Sequence, residues 1–112
     1  MSVKTILTEP NKQLRQISKP VESVGIEERK LMDDMLDTMY SANGIGLAAI
    51  QIGVPKRIIV MDLGKKENKR EPRYFVNPII KNKDSLKVTY EEGCLSVPNQ
   101  FAEIDRPSKC EV

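Results

Sequence analysis

Cys94 is the residue here whose chemistry and setting most invite a function. It is one of two cysteines in a chain of 112 residues that contains no histidine. It stands in the stretch Glu91-Glu92-Gly93-Cys94-Leu95-Ser96-Val97-Pro98. A strand-like run, Leu86-Lys87-Val88-Thr89-Tyr90, leads into it. Gly93 removes a side chain just before the thiol, so backbone or ligand can approach closely. Pro98 is expected to end regular pairing soon after. A cysteine on a constrained turn beside two carboxylates suits a metal thiolate. It equally suits a small buried packing residue, and the octapeptide taken alone favours that second reading.

A second stretch changes the balance. Gly44-Ile45-Gly46-Leu47-Ala48-Ala49-Ile50-Gln51 matches the pattern Gly-x-Gly-x-Ala-Ala-x-Gln, and Glu92 through Ser96 matches Glu-Gly-Cys-Leu-Ser. Together they resemble the first and second motifs of the peptide deformylases. These are metal hydrolases that remove the formyl group from the N-terminal methionine of nascent proteins. The flanking residues Leu14-Arg15, Pro20-Val21 and the strand from Pro55 to Asp62 also resemble that family.

The resemblance implies roles residue by residue. Cys94 would be a metal ligand, for Fe2+ or for Zn2+ or Ni2+, and the ion would activate a water for attack on the formyl carbon. The side-chain amide of Gln51 and the backbone N–H of Leu95 would stabilise the developing oxyanion. Gly44, Ile45, Gly46, Glu92 and Gly93 would contact the substrate, with the backbone near Gly46 pairing with an extended formyl-methionyl peptide. Ribosome association is a further possibility in the family. Read without the resemblance, Gln51 is a buried amide satisfying strand ends, and the two glycines serve a helix-to-strand turn. They do not form a dinucleotide fingerprint, because they follow a helix and enter a strand.

One part of the family pattern is not in this sequence. The third motif, His-Glu-x-x-His on a helix, supplies two ligands and the general acid/base, and this chain has no histidine. The expectation is therefore a single, C-terminally incomplete deformylase-like domain over 1–112, inactive by itself. Two alternatives stand beside it. One is a non-catalytic relative that binds peptides or accepts a helix from a partner chain. The other is a truncated gene product without function, with exposed apolar surface and unpaired strand edges.

Composition narrows the field further. A net charge of +2 and no basic cluster interleaved with aromatics argue against a nucleic-acid partner. The charged run Lys65-Lys66, Lys69-Arg70 with Glu67 and Glu71 reads as a solvated loop. No stretch approaches the roughly 20 apolar residues of a membrane span. The N-terminus lacks the apolar run of a secretion signal. A reducing cytoplasm is expected, with Cys94 and Cys110 both free. Cys110 has no motif role and is read as a packing residue. Phe101, Ile104 and Arg106 are candidates to line a cleft, without an assigned role.

The elements that must position these residues follow from periodicity. Val3 to Leu7 reads as an extended arm, and Asn11 as the cap of a brief helix through Gln16. Ser18 to Val21 reads as a loop. Leu31, Met32, Met35, Leu36, Met39 and Tyr40 form one stripe of a helix from Ser23 to Ala42. Asn43-Gly44 is its expected stop. Strands are expected at Leu47 to Gln51, Arg57 to Leu63, Arg73 to Ile79 and Leu86 to Tyr90. The segment from Phe101 to Val112 is expected to be irregular or an edge, because Pro107 lies in it. The pattern predicts an α+β fold, one helix packed on short, mainly antiparallel strands, with the central His-Glu-x-x-His helix lacking.

Overall fold

The computed structural model describes residues 2–64 and 69–112. Lys65, Lys66 and Glu67 of the expected charged loop lie outside the described residues. The architecture is the α+β arrangement expected: one helix, a three-stranded antiparallel sheet and a two-stranded antiparallel hairpin.

Helix α1 spans Ile26–Ser41. It starts later than Ser23 because Glu28 reaches back and accepts from the Gly25 N–H at 3.0 Å, fixing the first turn there. Lys56 sits 3.2 Å from the same carboxylate, and both contacts hold Glu28 below its usual range, the Gly25 N–H most strongly. The expected stripe is the core: Met32, Met35, Leu36 and Met39 are buried with Leu47, Ala49, Ile58 and Val60. The helix ends in a Schellman motif. Asn43, at φ 57, takes the left-handed position, and the Gly44 N–H donates to the Met39 carbonyl at 2.9 Å. Asn43, not Gly44, therefore makes the turn.

A second, polar line on α1 is also covered. Asp34 and Thr38 are buried under the N-terminal arm. The Ser2 N–H donates to Asp34 Oδ1 at 2.8 Å, and the Lys4 N–H to Thr38 Oγ1 at 2.8 Å. The Ser2 N–H holds the Asp34 carboxyl below its ordinary range, helped by the nearby Lys4 ammonium. The arm continues beyond the helix: the Leu7 N–H donates to the Gln51 carbonyl and the Glu9 N–H to the Ser96 carbonyl. Asn11 then caps a single 3-10 turn, Lys12–Arg15, through the Gln13 N–H.

The sheet runs β1 (Gly46–Ala48), β2 (Ile58–Asp62) and β3 (Pro72–Val76), with β2 in the centre. Ile58 and Val60 point from β2 to the helix. Two expected strands are shorter than anticipated. The Leu47 to Gln51 run leaves the sheet after Ala48 and turns into a 3-10 helix, Ala49–Ile52. The cause is Gln51, whose Oε1 accepts from the Ala48 N–H at 3.0 Å and pulls the chain back; Gly53, at φ 83, closes the turn. β3 ends at Val76 because Asn77, at φ 52, turns its side chain onto both the N–H and the carbonyl of Val21.

The hairpin is longer than expected. β4 is Lys87–Cys94 and β5 is Val97–Pro107, joined by a turn at Leu95-Ser96. Gly93 pairs with Phe101 and Cys94 with Val97, so Pro98, Asn99 and Gln100 stand opposite a single backbone step. Pro98 is thus accommodated in a bulge instead of ending the pairing, with Asn99 left-handed at φ 63. Pro107 pairs with Lys87 at the strand's last position, where proline costs no ladder bond that must continue. From Phe101 to Pro107 the segment is therefore a regular strand, and an edge as expected, since the sheet has two strands; residues 108–112 lie beyond it.

A polar knot closes the far end of β2. The Tyr40 hydroxyl donates to Asp62 Oδ2 at 2.5 Å. The Gly64 and Glu71 N–H groups donate to Asp62 Oδ1 at 2.8 and 3.1 Å. The Tyr40 hydroxyl, then the Gly64 N–H, hold Asp62 below the usual carboxylate range. Burial first, then the bond to Asp62, pushes the Tyr40 phenol up to about 12.

Three outcomes are expected. Met39, fully buried, should lose about 2–5 kcal/mol of stability as Met39→Ala. Ile26, 87% exposed, should change by about 0.5 kcal/mol or less as Ile26→Ala, both by denaturant unfolding. For Tyr40, a raised folded pKa means that its stabilising effect is complete below the free-phenol value of about 10 and is lost as pH rises toward 12. Ultraviolet titration should resolve a late-ionising phenol that Tyr40→Phe removes.

Candidate functional site

The two sequence motifs meet at one cavity of about 650 Å³. The end of α1 and the start of β1 form one wall, through Gly44, Ile45 and Gly46; the turn of the β4–β5 hairpin forms the other, through Gly93, Cys94 and Leu95. Gln51 lies between them on the same lining. Gly44 gives room at the junction. A Cβ there would lie 2.7 Å from Leu95 Cδ1, so the glycine lets the hairpin turn seat against the helix end. Gly93 serves a similar end, since a Cβ would lie 2.7 Å from the ring of Phe101, its cross-strand partner.

Gln51 is held by both ends of its amide. Its Oε1 is committed to the Ala48 N–H, which fixes the orientation of the group. Nε2 then donates to Ser96 Oγ at 3.0 Å and lies 3.7 Å from Cys94 Sγ. With one amide hydrogen held by buried Ser96, the other is directed to the thiol side of the cavity.

The backbone of β1 offers a free edge. Ile45 faces Asp62, whose N–H donates to its carbonyl at 2.9 Å, and Leu47 faces Val60. Antiparallel bonding alternates, so the N–H and C=O of Gly46, between these two, point away from β2. β1 is an edge strand, and the Gly46 groups are open to the cavity. Ile45 is 67% exposed beside them.

Cys94 is a free thiol, exposed in this cavity, and not a buried packing residue. Cys110 is also free and exposed, so the packing role expected for it is not found. Glu92 stands off the cavity lining. Its two oxygens take Arg106 Nε at 2.6 Å and Nη2 at 2.8 Å, and this fork lowers the glutamate and raises the arginine from their usual values. Phe101 lines the cavity, whereas Ile104 and Arg106 do not. Val97, Pro98, Asn99 and Gln100 of the bulge also line it, a contribution that the sequence pattern did not indicate. A metal ion needs about four ligands counting water. Among the described residues no group of three or more His, Cys, Asp or Glu side chains is placed to hold one. Cys94 fits as one ligand, and the described residues do not complete a site.

Comparison with known proteins identifies this arrangement. The sequence model described as polypeptide deformylase matches residues 3–112. The chain belongs to the polypeptide deformylase family. It is 79% identical to a peptide deformylase of Pelagibacter ubique over all of its length, and it spans 65% of that relative. The peptide deformylase of Maricaulis maris is 53% identical, again over the whole chain and 64% of the relative. Among solved structures, the peptide deformylase of Ehrlichia chaffeensis in complex with actinonin superposes with a TM-score of 0.92 at 44% identity. The match covers 98% of this chain and 66% of that one. The Thermotoga maritima peptide deformylase gives 0.87 at 36% identity, covering 96% of this chain and 69% of that one. The chain thus spans just under two thirds of the length of these curated deformylases, and over that span has the deformylase fold.

The contact between the two motifs is open to a direct test. Gly44→Ala and Leu95→Ala should each destabilise the protein, and the double variant should be less destabilised than their sum. The coupling in thermal unfolding should be about 0.5–3 kcal/mol, as for side chains in contact.

Proposed function

We propose that the protein carrying this chain removes the formyl group from formyl-methionyl N-termini of new proteins in the cytoplasm, with ribosome-bound chains as its natural substrates. In this reading the chain supplies the binding edge, the charge-stabilising amide and one metal ligand. The observation that carries it is the convergence of the Gly46 backbone, the Gln51 amide and the Cys94 thiol on one cavity.

The peptide lies as an added strand along β1, its main chain bonded to the free N–H and C=O of Gly46. The formyl group is then directed to the Gln51–Cys94 end. Gln51 Nε2, with the Leu95 N–H, donates to the oxygen as charge gathers on it. Gln51 is suited because its amide is already fixed by Ala48 and Ser96, so little reorganisation accompanies the reaction. Cys94 is one ligand of Fe2+, Zn2+ or Ni2+, an ion that, when bound, supplies Lewis acidity and an activated water. Ile45, Val97 and Phe101 give the cavity its apolar wall beside the peptide edge.

A non-catalytic reading shares the same edge. It is favoured by the hairpin, whose Val88, Tyr90 and Phe101 are exposed, as is Leu86 just before it, and offer apolar surface to a partner. Turnover separates the two. Formate release from formyl-Met-Ala-Ser by the Fe2+-loaded protein should fall about 10²–10³-fold in kcat in Gln51→Leu. The 112-residue chain by itself should release none. Wild-type protein that binds the peptide but releases no formate would leave the binding reading standing instead.

A further inference from the structure

We infer that the Tyr40–Asp62 pair is the positioning device for the peptide edge of the cavity. Neither residue lines the cavity, so the chemistry proposed above makes no direct use of either. Both nevertheless flank the segment that forms its wall. Tyr40 lies in the last turn of α1, just before Asn43 and Gly44. Asp62 ends β2, and its N–H donates to the Ile45 carbonyl at 2.9 Å. The Tyr40 hydroxyl on Asp62 Oδ2, at 2.5 Å, therefore links the two ends of the bend that leads into Gly46.

The link is itself braced. Asp62 is only 8% exposed; the Gly64 N–H takes its other oxygen at 2.8 Å, and the Glu71 N–H is shared between both oxygens at 3.1 Å. Tyr40 is pinned from outside by the Arg70 guanidinium, 4.2 Å from the ring centroid. A tyrosine with one partner would be free to swing; this one is held on its ring face and at its hydroxyl. A carboxylate buried against one sheet end contributes little stability that an apolar pair would not. What it adds is direction. With the Tyr40–Asp62 bond made, the Ile45 carbonyl is held to β2, and alternation turns the Gly46 N–H and C=O outward. Without it, the short β1 of Gly46–Ala48 has one bond fewer to fix its register at the cavity end.

The effect on turnover rests on the peptide-strand reading above; the effect on the segment rests on geometry alone. Two measurements on the metal-loaded protein carrying this chain separate them, each in Tyr40→Phe and Asp62→Asn. The first is formate release from formyl-Met-Ala-Ser and from N-formyl-3-(methylthio)propylamine, which keeps the formyl group and side chain but has no main-chain carbonyl to pair with the Gly46 N–H. KM for the longer peptide should rise about tenfold, with kcat and the short substrate changed by about twofold or less. The second is amide exchange. The Asp62 N–H should exchange about tenfold faster, while the Val60 N–H, paired further along β2, is unchanged. Equal losses for both substrates, or unaltered Asp62 exchange in Tyr40→Phe, would overturn the inference. Wild-type protein that releases no formate would sink the functional reading alone, and the exchange measurement would still decide this one. Tyr40→Phe keeps the ring and its packing, so it carries the test if Asp62→Asn does not fold.

Discussion

The Gln51 side chain is the bond on which the site depends. Gln51 does three things at once, two with its side-chain amide and one with its main-chain carbonyl. Its oxygen takes the Ala48 N–H and ends β1; its nitrogen takes Ser96 and reaches toward Cys94; and its main-chain carbonyl takes the Leu7 N–H of the arm. The first bond turns the chain out of the sheet, the second ties the hairpin turn to that corner, and the third holds the corner from below. Each group left unmade in this half-buried corner would carry a desolvation penalty of about 1–3 kcal/mol. These bonds meet in one corner, and it is there that the two motifs are tied together.

The arm has a role in the same frame. A two-stranded hairpin is at best marginally stable in water, and β4–β5 is exposed along most of both strands. It joins the rest of the protein at few points: Leu95 against the core, buried Ser96, and the Glu9 N–H on the Ser96 carbonyl. These points cluster at the turn that carries Cys94. The hairpin is thus most firmly held where the thiol needs to be fixed and least held toward Lys87 and Pro107.

Local pattern was enough for some of this and not for the rest. The methionine stripe of α1 is legible because helical periodicity and burial coincide at Met32, Met35 and Met39. The buried line of Asp34 and Thr38 is not, because their partners, Ser2 and Lys4, lie about 30 residues away and bond through the backbone. Leu47 to Gln51 has the apolar content of a strand, yet one side-chain-to-backbone bond from Gln51 overrides it. Pro98 reads as a terminator on general grounds, whereas a bulge absorbs it. Asn43-Gly44 reads as a helix stop and is one; what the pattern does not show is that Asn43 takes the left-handed angle and Gly44 admits Leu95. The motif residues themselves converge, because the spacing of both motifs already encodes one turn against another.

The composition of the cavity wall limits what these residues can do. Its lining holds backbone groups, the amides of Asn43, Gln51, Asn99 and Gln100, one thiol and apolar side chains, and no aspartate, glutamate or lysine. Glu92, adjacent to the motif cysteine in all but one residue, is spent on Arg106. With no histidine in the sequence, the described wall offers no carboxylate or imidazole to relay a proton. What this wall could contribute under the proposed function is recognition of an extended main chain at Gly46, fixed hydrogen-bond donation from Gln51, and one sulfur ligand from Cys94. A neutral amide suits that wall better than a cationic side chain would, since it donates without competing with a metal for position beside Cys94. In the proposed reading, binding and charge stabilisation would fall to these residues, and proton transfer to other groups.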